Sequence, residues 1–203
     1  MDERAPAALY GGILVGGASR RMGTPKPLLV LDGVTFFERV ARALAPVVER
    51  TVVLGRGALP SGAATLDRLD DVAVPGPLGG LLAALAFAPQ AAWIVAPCDL
   101  PLLTIEAFRW LVAQRSARHW AVLPRLVDGR VEPLAALYEP GAGEHLRALA
   151  ASGRYALQPL AELPNVLTST PPPELAPCWS NVNTPEELAR VVGETTGGET
   201  ASG

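Results

Sequence analysis

Residues 14–26, L-V-G-G-A-S-R-R-M-G-T-P-K, combine glycines and cations in a pattern that suits a polyphosphate. Glycine adopts positive φ at little cost and leaves backbone N–H groups accessible, so a glycine-rich turn after a strand can surround an anion. Arg20 and Arg21 offer forked donors to phosphate oxygens, and Lys26 offers a compact charge for the phosphate being transferred. The segment predicts a phosphate-binding loop, although a glycine turn after the first strand is also common in α/β folds without this role.

Two oxygen-bearing side chains elsewhere in the chain suit a hard metal ion. Asp99, in A-P-C-D-L-P, directly follows an apolar run, and Asn183, in W-S-N-V-N-T-P, precedes a helix-start pattern. Mg²⁺ prefers oxygen ligands and usually takes one or two carboxylates, with water and substrate phosphate completing its shell. We expect Asp99 and Asn183 to bind Mg²⁺. The structural alternatives are a turn capped by Asp99 before Pro101 and an Asx turn of Asn183 leading into Thr184.

The two commonest nucleotide-binding loops are excluded by the spacing of the glycines. A dinucleotide fingerprint requires G-x-G-x-x-G, which residues 16–21 do not supply. A P-loop requires Gly-Lys followed by Ser or Thr, but Gly23 is followed by Thr24 and the lysine comes three residues after the glycine. The loop therefore belongs to a different class of phosphate site.

The elements that must position these residues alternate between strand and helix. Four short apolar runs are typical of strands buried on both faces, at residues 9–15, 51–54, 93–96 and 120–123. Helical stripes lie between them at 37–48, at 81–88 and from 105 onward after a Thr104 cap. The alternation predicts an α/β fold, a three-layer α/β/α sandwich with a mostly parallel, doubly wound sheet whose ligands lie outside the carboxyl ends of the strands.

The second half of the chain predicts further elements. Residues 131–138 suit a strand, with an antiparallel direction one option, and residues 144–151 suit a helix that ends before Gly153. The proline-rich stretch 164–177 is typical of a connector, and T-P-E-E at 184–187 is a capping box for a last helix. We expect one domain over 1–193 and a flexible tail over 194–203, which lacks an apolar pattern.

Composition excludes several functional classes. The 203 residues are 49% hydrophobic and 18% charged, as in a globular domain, and the net charge of −3 argues against a general nucleic-acid-binding surface. Prolines and glycines interrupt the uncharged stretch 72–98, so a membrane span is not expected. An acidic start without an export signal and two separate cysteines favour the reducing cytoplasm.

Four motifs together resemble a known enzyme family. The pattern L-x-G-G-x-S-x-R-M-G-x-x-K over residues 14–26 is similar to the signature loop of nucleotidyltransferases that activate sugar phosphates and the molybdenum cofactor. C-D-L-P at 98–101 resembles their metal-binding motif, and G-P-L-G-G at 76–80 resembles a turn near the nucleotide. N-V-N-T-P-E-E-L at 181–188 is most similar to the molybdenum cofactor guanylyltransferases, the MobA-like nucleotidyltransferases. The resemblance implies a fold of the nucleotide-diphospho-sugar transferase type.

The resemblance also implies a reaction and a set of site residues. It implies transfer of GMP from GTP to the phosphate of molybdopterin or the molybdenum cofactor, with Mg²⁺ as cofactor and molybdoenzyme-maturation proteins as partners. The catalytic residues it implies are Arg20, Arg21, Lys26 and Asp99. The nucleotide-binding residues it implies are Leu14, Val15, Gly16, Gly17, Lys26, Asp99 and one acidic residue before G-P-L, Asp70 in preference to Asp71.

The choice of base and acceptor stays open at the level of the sequence. The family often has an asparagine after the second strand, whereas residues 53–56 read V-L-G-R. A CTP-dependent molybdenum cofactor cytidylyltransferase and a sugar-phosphate nucleotidyltransferase are the alternatives within the fold. The alternative of another class is a non-catalytic nucleotide-binding module that regulates a partner.

Overall fold

A seven-stranded sheet organises the chain in the computed structural model, which describes residues 7–16, 23–182 and 187. The strand order is β5-β4-β1-β6-β8-β7-β9. Every strand of this sheet except β8 runs in the same direction, since β8 is antiparallel to both β6 and β7 and the other pairings are parallel. The strands are β1 Leu9–Leu14, β4 Arg50–Leu54, β5 Asp67–Leu69, β6 Ala92–Pro97, β7 Ala121–Pro124, β8 Ala136–Tyr138 and β9 Val166–Ser169, and a separate hairpin is formed by β2 Val30–Leu31 and β3 Val34–Thr35.

Helices cover both faces of the sheet, which confirms the predicted three-layer α/β/α sandwich. The helices are α1 Phe36–Leu44, α2 Pro77–Phe87, α3 Ile105–Ala113 and α4 Ala142–Ala151. One hydrophobic cluster packs α1 and α3 against one face, and a second packs α2 and α4 against the other. Alternate residues of β6 supply the two clusters, with Ile94 in the first and Trp93 and Val95 in the second. A strand with two buried faces explains why its sequence is continuously apolar.

Two helix boundaries differ from the sequence prediction. Helix α2 begins at Pro77 rather than residue 81, because Gly76 has a φ of 72° and Pro77 takes the first helical position. Gly79 and Gly80, which suggested a helix break, lie inside the helix; a Cβ on Gly79 would come within 2.6 Å of the Val74 carbonyl oxygen. Helix α1 ends at Leu44, ahead of Pro46, although the apolar stripe continues to residue 48.

The predicted connector 164–177 was wrong in part, because it contains strand β9. Val166–Ser169 pairs in parallel with β7, with Val122 opposite Leu167. The prolines at 164 and 171 lie outside the strand, at positions where a missing N–H does not interrupt the ladder. β9 is also the edge of the sheet, which requires hydrogen bonds on one side only. The strand prediction for 131–138 is confirmed in part, since Ala136–Tyr138 forms antiparallel β8.

A hairpin and a helix cap before α1 were absent from the sequence prediction. Asp32 and Gly33 have φ values of 51° and 75°, the left-handed pair that a tight hairpin turn requires. Thr35 then caps α1: its hydroxyl accepts from Glu38 N, and the Glu38 carboxylate accepts from Thr35 N and Oγ1. The Thr35 hydrogen bonds lower the pKa of Glu38, so this contribution to stability is present above the unfolded pKa and is lost as pH falls through the folded pKa.

Loss of the Thr35 cap should have a modest, local cost. Thr35→Ala removes the side-chain acceptor for Glu38 N, and we expect the free energy of unfolding to fall by about 1 kcal/mol. Urea denaturation of the full chain measures this change. Thr65→Ala, in an exposed turn, is the matched control; equal losses in the two variants would mean that the cap contributes nothing specific.

The fold brings the predicted site residues to one edge of the sheet. The carboxyl ends of β1, β4 and β6 meet there, and antiparallel β8 begins at the same edge. Gly16 and Asp99 follow β1 and β6 directly. Arg20, Arg21, Gly17, Asn183, the start of the predicted last helix and residues 194–203 lie outside the described residues. Among the described helices, none is long and apolar enough to cross a membrane.

Candidate active site

A pocket of about 450 Å³ opens at the carboxyl edge of the sheet. Its floor is made by the ends of β1, β4 and β6, and its walls by the loops that follow them and by the start of α2. This is the place where a doubly wound sheet binds ligands. The pocket is lined by Leu14, Val15, Gly16, Lys26, Pro27, Leu54, Gly55, Asp71, Val74, Gly76, Pro77, Pro97, Cys98, Asp99 and Leu134.

Lys26 and Asp99 form an ion pair in this pocket. Lys26 Nζ lies 2.9 Å from Asp99 Oδ2, and the two side chains are 22% and 27% exposed. The residues are 73 positions apart in sequence, so only the fold brings them together. A cation and a carboxylate at one point of a cleft suit a phosphate and its counter-ion, because each can exchange its partner for a ligand group of the same charge.

Prolines and one arginine hold the backbone segments that carry Lys26 and Asp99. Lys26 begins a single 3₁₀ turn, Lys26–Leu28, between Pro25 and Pro27, which restrict the backbone on each side. The Arg39 guanidinium donates from Nε to the Pro101 carbonyl oxygen at 3.0 Å and from Nη1 to the Leu31 carbonyl oxygen at 3.3 Å. Arg39 therefore ties the loop that carries Asp99 to the hairpin that follows Lys26.

The first loop presents its backbone to the pocket. Val15 N donates to the Leu54 carbonyl oxygen at 2.9 Å, which extends the β1 ladder by one residue before the chain turns. A Cβ built on Gly16 would meet none of the described residues within 4 Å. Leu14, Val15 and Gly16 line the pocket, and their role in nucleotide binding stays a prediction. Gly57 packs so closely against this segment that a Cβ on it would lie 2.7 Å from the Val15 carbonyl oxygen.

Asp71, rather than Asp70, lines the pocket. The Asp70 carboxylate accepts from Arg56 Nη2 at 2.7 Å and lies at a separate surface depression. Asp71 lies against two glycines: a Cβ on Gly55 would be 3.2 Å from its Oδ1, and one on Gly80 would be 3.0 Å from the same atom. Partial burial and the charge of Asp70 raise the pKa of Asp71. Within the described residues, the Asp71 carboxylate has no hydrogen-bond partner, which suits a ligand that donates N–H groups.

The Asp99 carboxylate is a hard oxygen donor of the kind that Mg²⁺ prefers. The carboxylate is accessible, and Val182 N donates to the Asp99 carbonyl oxygen at 2.9 Å, which holds the chain next to Asn183 beside Asp99. In the described part of the chain, no group of three His, Cys, Asp or Glu side chains could hold a metal ion. A single carboxylate, an amide oxygen and substrate phosphates are the kind of set that Mg²⁺ accepts. Asn183 itself remains a prediction.

Cys98 lies in the pocket beside Asp99 without the properties of a nucleophile. Its side chain is 4% exposed. Burial, together with the negative charge of Asp99, raises the pKa of the Cys98 thiol well above its usual range. Because the thiolate is the reactive form, these properties argue against Cys98 as a nucleophile.

A second depression, of about 530 Å³, lies at the opposite edge of the sheet. Its lining includes the ion pair of Arg115 with Glu139 and the indole of Trp120, which stacks on His145 at 4.6 Å. The Arg115 guanidinium is already satisfied by both Glu139 oxygens and by the Ala7 carbonyl oxygen. Of the predicted site residues that the structure describes, none lies there, and most of them line the pocket at the carboxyl edge.

Comparison with known proteins gives the same assignment as the motifs. Residues 11–166 match the family model described as the MobA-like NTP transferase domain. The chain is 28% identical over 193 residues to a probable molybdenum cofactor guanylyltransferase from Bacillus cytotoxicus, an alignment that covers 91% of this chain and 96% of that protein.

Two solved structures share the fold. The crystal structure of molybdopterin-guanine dinucleotide biosynthesis protein A from Archaeoglobus fulgidus superposes with a TM-score of 0.76 at 25% identity, covering 93% of this chain and 99% of that one. The structure of 2-C-methyl-D-erythritol 4-phosphate cytidylyltransferase from Thermus thermophilus superposes with a TM-score of 0.66 at 16% identity, covering 91% and 98%. The second likeness extends to the fold alone.

Proposed function

Because residues 11–166 match its model, this chain belongs to the MobA-like NTP transferase family, and we propose that it transfers GMP from GTP to the phosphate of molybdopterin or the molybdenum cofactor. The observation that carries the proposal is the Lys26–Asp99 pair in the pocket at the carboxyl edge, between the first loop and the segment that leads to Asn183. The names of relatives support guanine and the molybdenum cofactor as the substrates.

In the proposed reaction, an oxygen of the acceptor phosphate forms a bond to the α-phosphorus of GTP. The bond between the α-phosphorus and its bridging oxygen to the β-phosphate breaks, and pyrophosphate leaves with that electron pair. The attacking oxygen is already anionic, so no general base is required. Catalysis then depends on holding the two substrates together and on balancing the charge that develops on the transferred phosphate.

Each predicted residue has a defined task in this proposal. Lys26 binds the α-phosphate and follows its charge, while Arg20, Arg21 and the amides of residues 14–17 bind the β- and γ-phosphates. Asp99 and Asn183 hold Mg²⁺, which supplies further neutralisation of phosphate charge when bound. Lys26 must release Asp99 as the nucleotide and its metal enter, because the ion pair occupies one oxygen of that carboxylate.

Base recognition in this proposal depends on Asp71. Guanine presents two adjacent N–H donors, at N1 and at the 2-amino group, and a carboxylate accepts both; cytosine presents a donor beside an acceptor and does not match. Asp71 lines the pocket and has no hydrogen-bond partner within the described residues, whereas Asp70 is held by Arg56. We therefore favour Asp71 over Asp70 as the residue that binds the base.

The test is pyrophosphate release from GTP, CTP, ATP and UTP, each with Mg²⁺ and molybdopterin. Release with GTP alone is the expected result. Release with CTP would keep the mechanism and change the base, and release that requires a sugar phosphate would change the acceptor. A protein that binds GTP without turnover under any of these conditions would contradict transferase activity and favour a nucleotide-binding module.

Asp71→Asn should weaken the preference for guanine. Asparagine has the shape of aspartate, but one of its two acceptor oxygens is replaced by an NH₂ donor. That NH₂ group would face a guanine N–H, and two donors cannot form a hydrogen bond. We expect kcat/KM for GTP to fall about tenfold to hundredfold, with a smaller change for CTP. Asp70→Asn is the matched control and should leave both values nearly unchanged. A larger fall of kcat/KM for GTP in Asp70→Asn than in Asp71→Asn would mean that Asp70, and not Asp71, contacts the base.

The proposed setting of the reaction is the cytoplasm, with molybdoenzyme-maturation proteins as recipients of the product. The two cysteines, Cys98 and Cys178, are buried and unpaired, which suits a reducing compartment. The net charge of −3 gives no support for a nucleic-acid partner.

A further inference from the structure

Arg39 is not a residue of the pocket lining, yet it joins two segments that each carry one. The residue is on helix α1, and its side chain is 25% exposed. The guanidinium donates from Nε to the Pro101 carbonyl oxygen at 3.0 Å and from Nη1 to the Leu31 carbonyl oxygen at 3.3 Å. Pro101 follows Asp99 by two residues, and Leu31 is in the hairpin that follows Lys26. One side chain therefore spans the two segments.

Backbone hydrogen bonds connect Lys26 to the start of the same helix. Leu29 N donates to the Lys26 carbonyl oxygen at 3.1 Å, and Phe36 N donates to the Leu29 carbonyl oxygen at 2.8 Å. Phe36 is the first residue of α1, and the capping box of Thr35 with Glu38 fixes the start of this helix. Helix α1 is thus a fixed base for the segment that carries Lys26.

A small hydrophobic cluster, apart from the two main ones, joins the same segments. It consists of the buried residues Leu31, Phe36 and Val182, with Leu29 and Leu102 packed against them. These residues come from the hairpin, from the start of α1, from the loop after Asp99 and from the segment before Asn183. Apolar packing has no preferred direction, whereas hydrogen bonds do. The bonds of Arg39 therefore fix how the hairpin and the Asp99 loop lie relative to each other.

The guanidinium suits this task because of its geometry. Its planar fork presents the Nε–H and Nη–H groups in a rigid arrangement, so one side chain can hold two carbonyl oxygens at a set separation. Both bonds are charge-assisted, which makes them stronger than bonds between neutral groups. The Asp32 carboxylate approaches Nη1 at 3.5 Å and is 44% exposed, so this ion pair contributes little. The two carbonyl oxygens are thus the main partners of Arg39.

A link of this kind matters for a site whose side chains exchange partners. The ion pair of Lys26 with Asp99 must open when a nucleotide and its metal enter, because both groups then bind ligand atoms. The direct contact between the two sides of the pocket is lost in that step. A link between the backbones, outside the pocket, keeps the spacing while the side chains move, and transfer rates depend steeply on such spacing.

We propose that Arg39 is a positioning residue, which holds the Pro101 and Leu31 carbonyl oxygens and thereby sets the separation of Lys26 and Asp99. The effect on the rate of transfer rests on the proposed function, whereas the effect on the ion pair does not. Loss of the guanidinium loosens the pair in the protein without substrates and slows transfer when the substrates are bound.

The first measurement is the rate at which an amine-selective reagent labels Lys26 in the full chain without substrates. Lys26 is the only lysine, so the amino terminus of the same molecule is the internal reference. Arg39→Met keeps an unbranched stem and removes every donor. Arg42→Met, at an exposed position on the same helix, is the matched control. Mass spectrometry after digestion reports each labelled site separately.

Relative to the amino terminus, the labelling rate of Lys26 should rise about twofold to fivefold in Arg39→Met, the range expected when a partly exposed ion pair opens. Asp99→Asn should give an increase of the same size. The double variant should match Asp99→Asn alone, because no ion pair is left for Arg39 to position. A merely structural role of Arg39 would instead add a further increase in the double variant.

The second measurement is steady-state pyrophosphate release with GTP, Mg²⁺ and molybdopterin, at a temperature where thermal unfolding shows every variant to be folded. In Arg39→Met, kcat should fall about tenfold to hundredfold while KM for GTP stays within about threefold. Arg42→Met should keep both values. Arg39→Lys retains the charge without the fork, so it should show smaller changes in the same direction, and it replaces Arg39→Met if that variant does not fold.

Four results would overturn the inference. Unchanged labelling of Lys26 in a folded Arg39→Met protein would mean that Arg39 does not act on the ion pair. A further increase in the double variant, or an equal loss of kcat in Arg42→Met, would indicate a general effect on the helix. A raised KM for GTP with unchanged kcat would contradict a role in transfer. If wild-type protein does not turn over GTP, the proposed function fails, while the labelling still decides whether Arg39 positions Lys26.

Discussion

Asp99→Asn should lower GTP-dependent pyrophosphate release about a hundredfold to a thousandfold while the protein remains folded. The substitution removes the carboxylate proposed to hold the metal ion, and it removes an ion-pair partner of Lys26. Steady-state rates with GTP, Mg²⁺ and molybdopterin measure the effect. Most of the loss should be in kcat, because the charge balance matters most when the phosphate is being transferred.

The controls for Asp99→Asn separate catalysis from folding. The ion pair is partly exposed, and pairs of this kind contribute about 0–1 kcal/mol, so thermal unfolding should change little. Asp67→Asn is the matched control: it removes a carboxylate of the edge strand β5 that pairs with Arg50. This variant should leave turnover intact. Full activity of a folded Asp99→Asn protein would rule out the metal assignment.

Lys26→Met should reduce kcat about a hundredfold, since the pocket loses the cation proposed to follow the α-phosphate. Methionine retains an unbranched stem of similar length but carries no charge. Lys26→Arg should recover little, because a planar guanidinium cannot reproduce a compact ammonium at one phosphate oxygen. A KM for GTP that rises while kcat stays constant would assign Lys26 to binding alone.

Chemical labelling gives an independent test of Lys26. It is the only lysine in the chain, so an amine-selective reagent can modify only this side chain and the amino terminus. Mass spectrometry of the digested protein measures the extent at each. GTP with Mg²⁺ should protect Lys26 and leave the amino terminus unprotected, and equal labelling of Lys26 with and without GTP would contradict its contact with the nucleotide.

The same fold occurs in a cytidylyltransferase of largely different sequence, so the fold alone does not determine which base a protein of this kind binds. A TM-score of 0.66 at 16% identity means that the same layered sheet is built from a largely different sequence. In the proposed function of this chain, Asp71 is the residue that selects the base. A variant at Asp71 tests base specificity, whereas variants at Lys26 and Asp99 test transfer itself.

Local chemistry in the sequence was sufficient for the layers and for the centre of the site. Apolar runs with two buried faces predicted β1, β4, β6 and β7, because a strand between two helical layers needs apolar side chains on both sides. Lys26 and Asp99 were predicted from loops that directly follow β1 and β6, and parallel strands bring such loops to one edge. Gly17, Arg20, Arg21 and Asn183 lie outside the described residues and stay predictions.

Only the tertiary structure decided which side chains face the pocket and which segments distant in sequence pair with each other. Asp70 and Asp71 are indistinguishable by spacing, but adjacent side chains point in different directions, so Arg56 holds one and the pocket receives the other. Strand β9 is stable only because β7 offers it an edge, a contact that a proline-rich sequence does not reveal. The contact of Lys26 with Asp99 likewise comes only from the fold, since the two residues are 73 positions apart and no local pattern records which loops meet at one edge of a sheet.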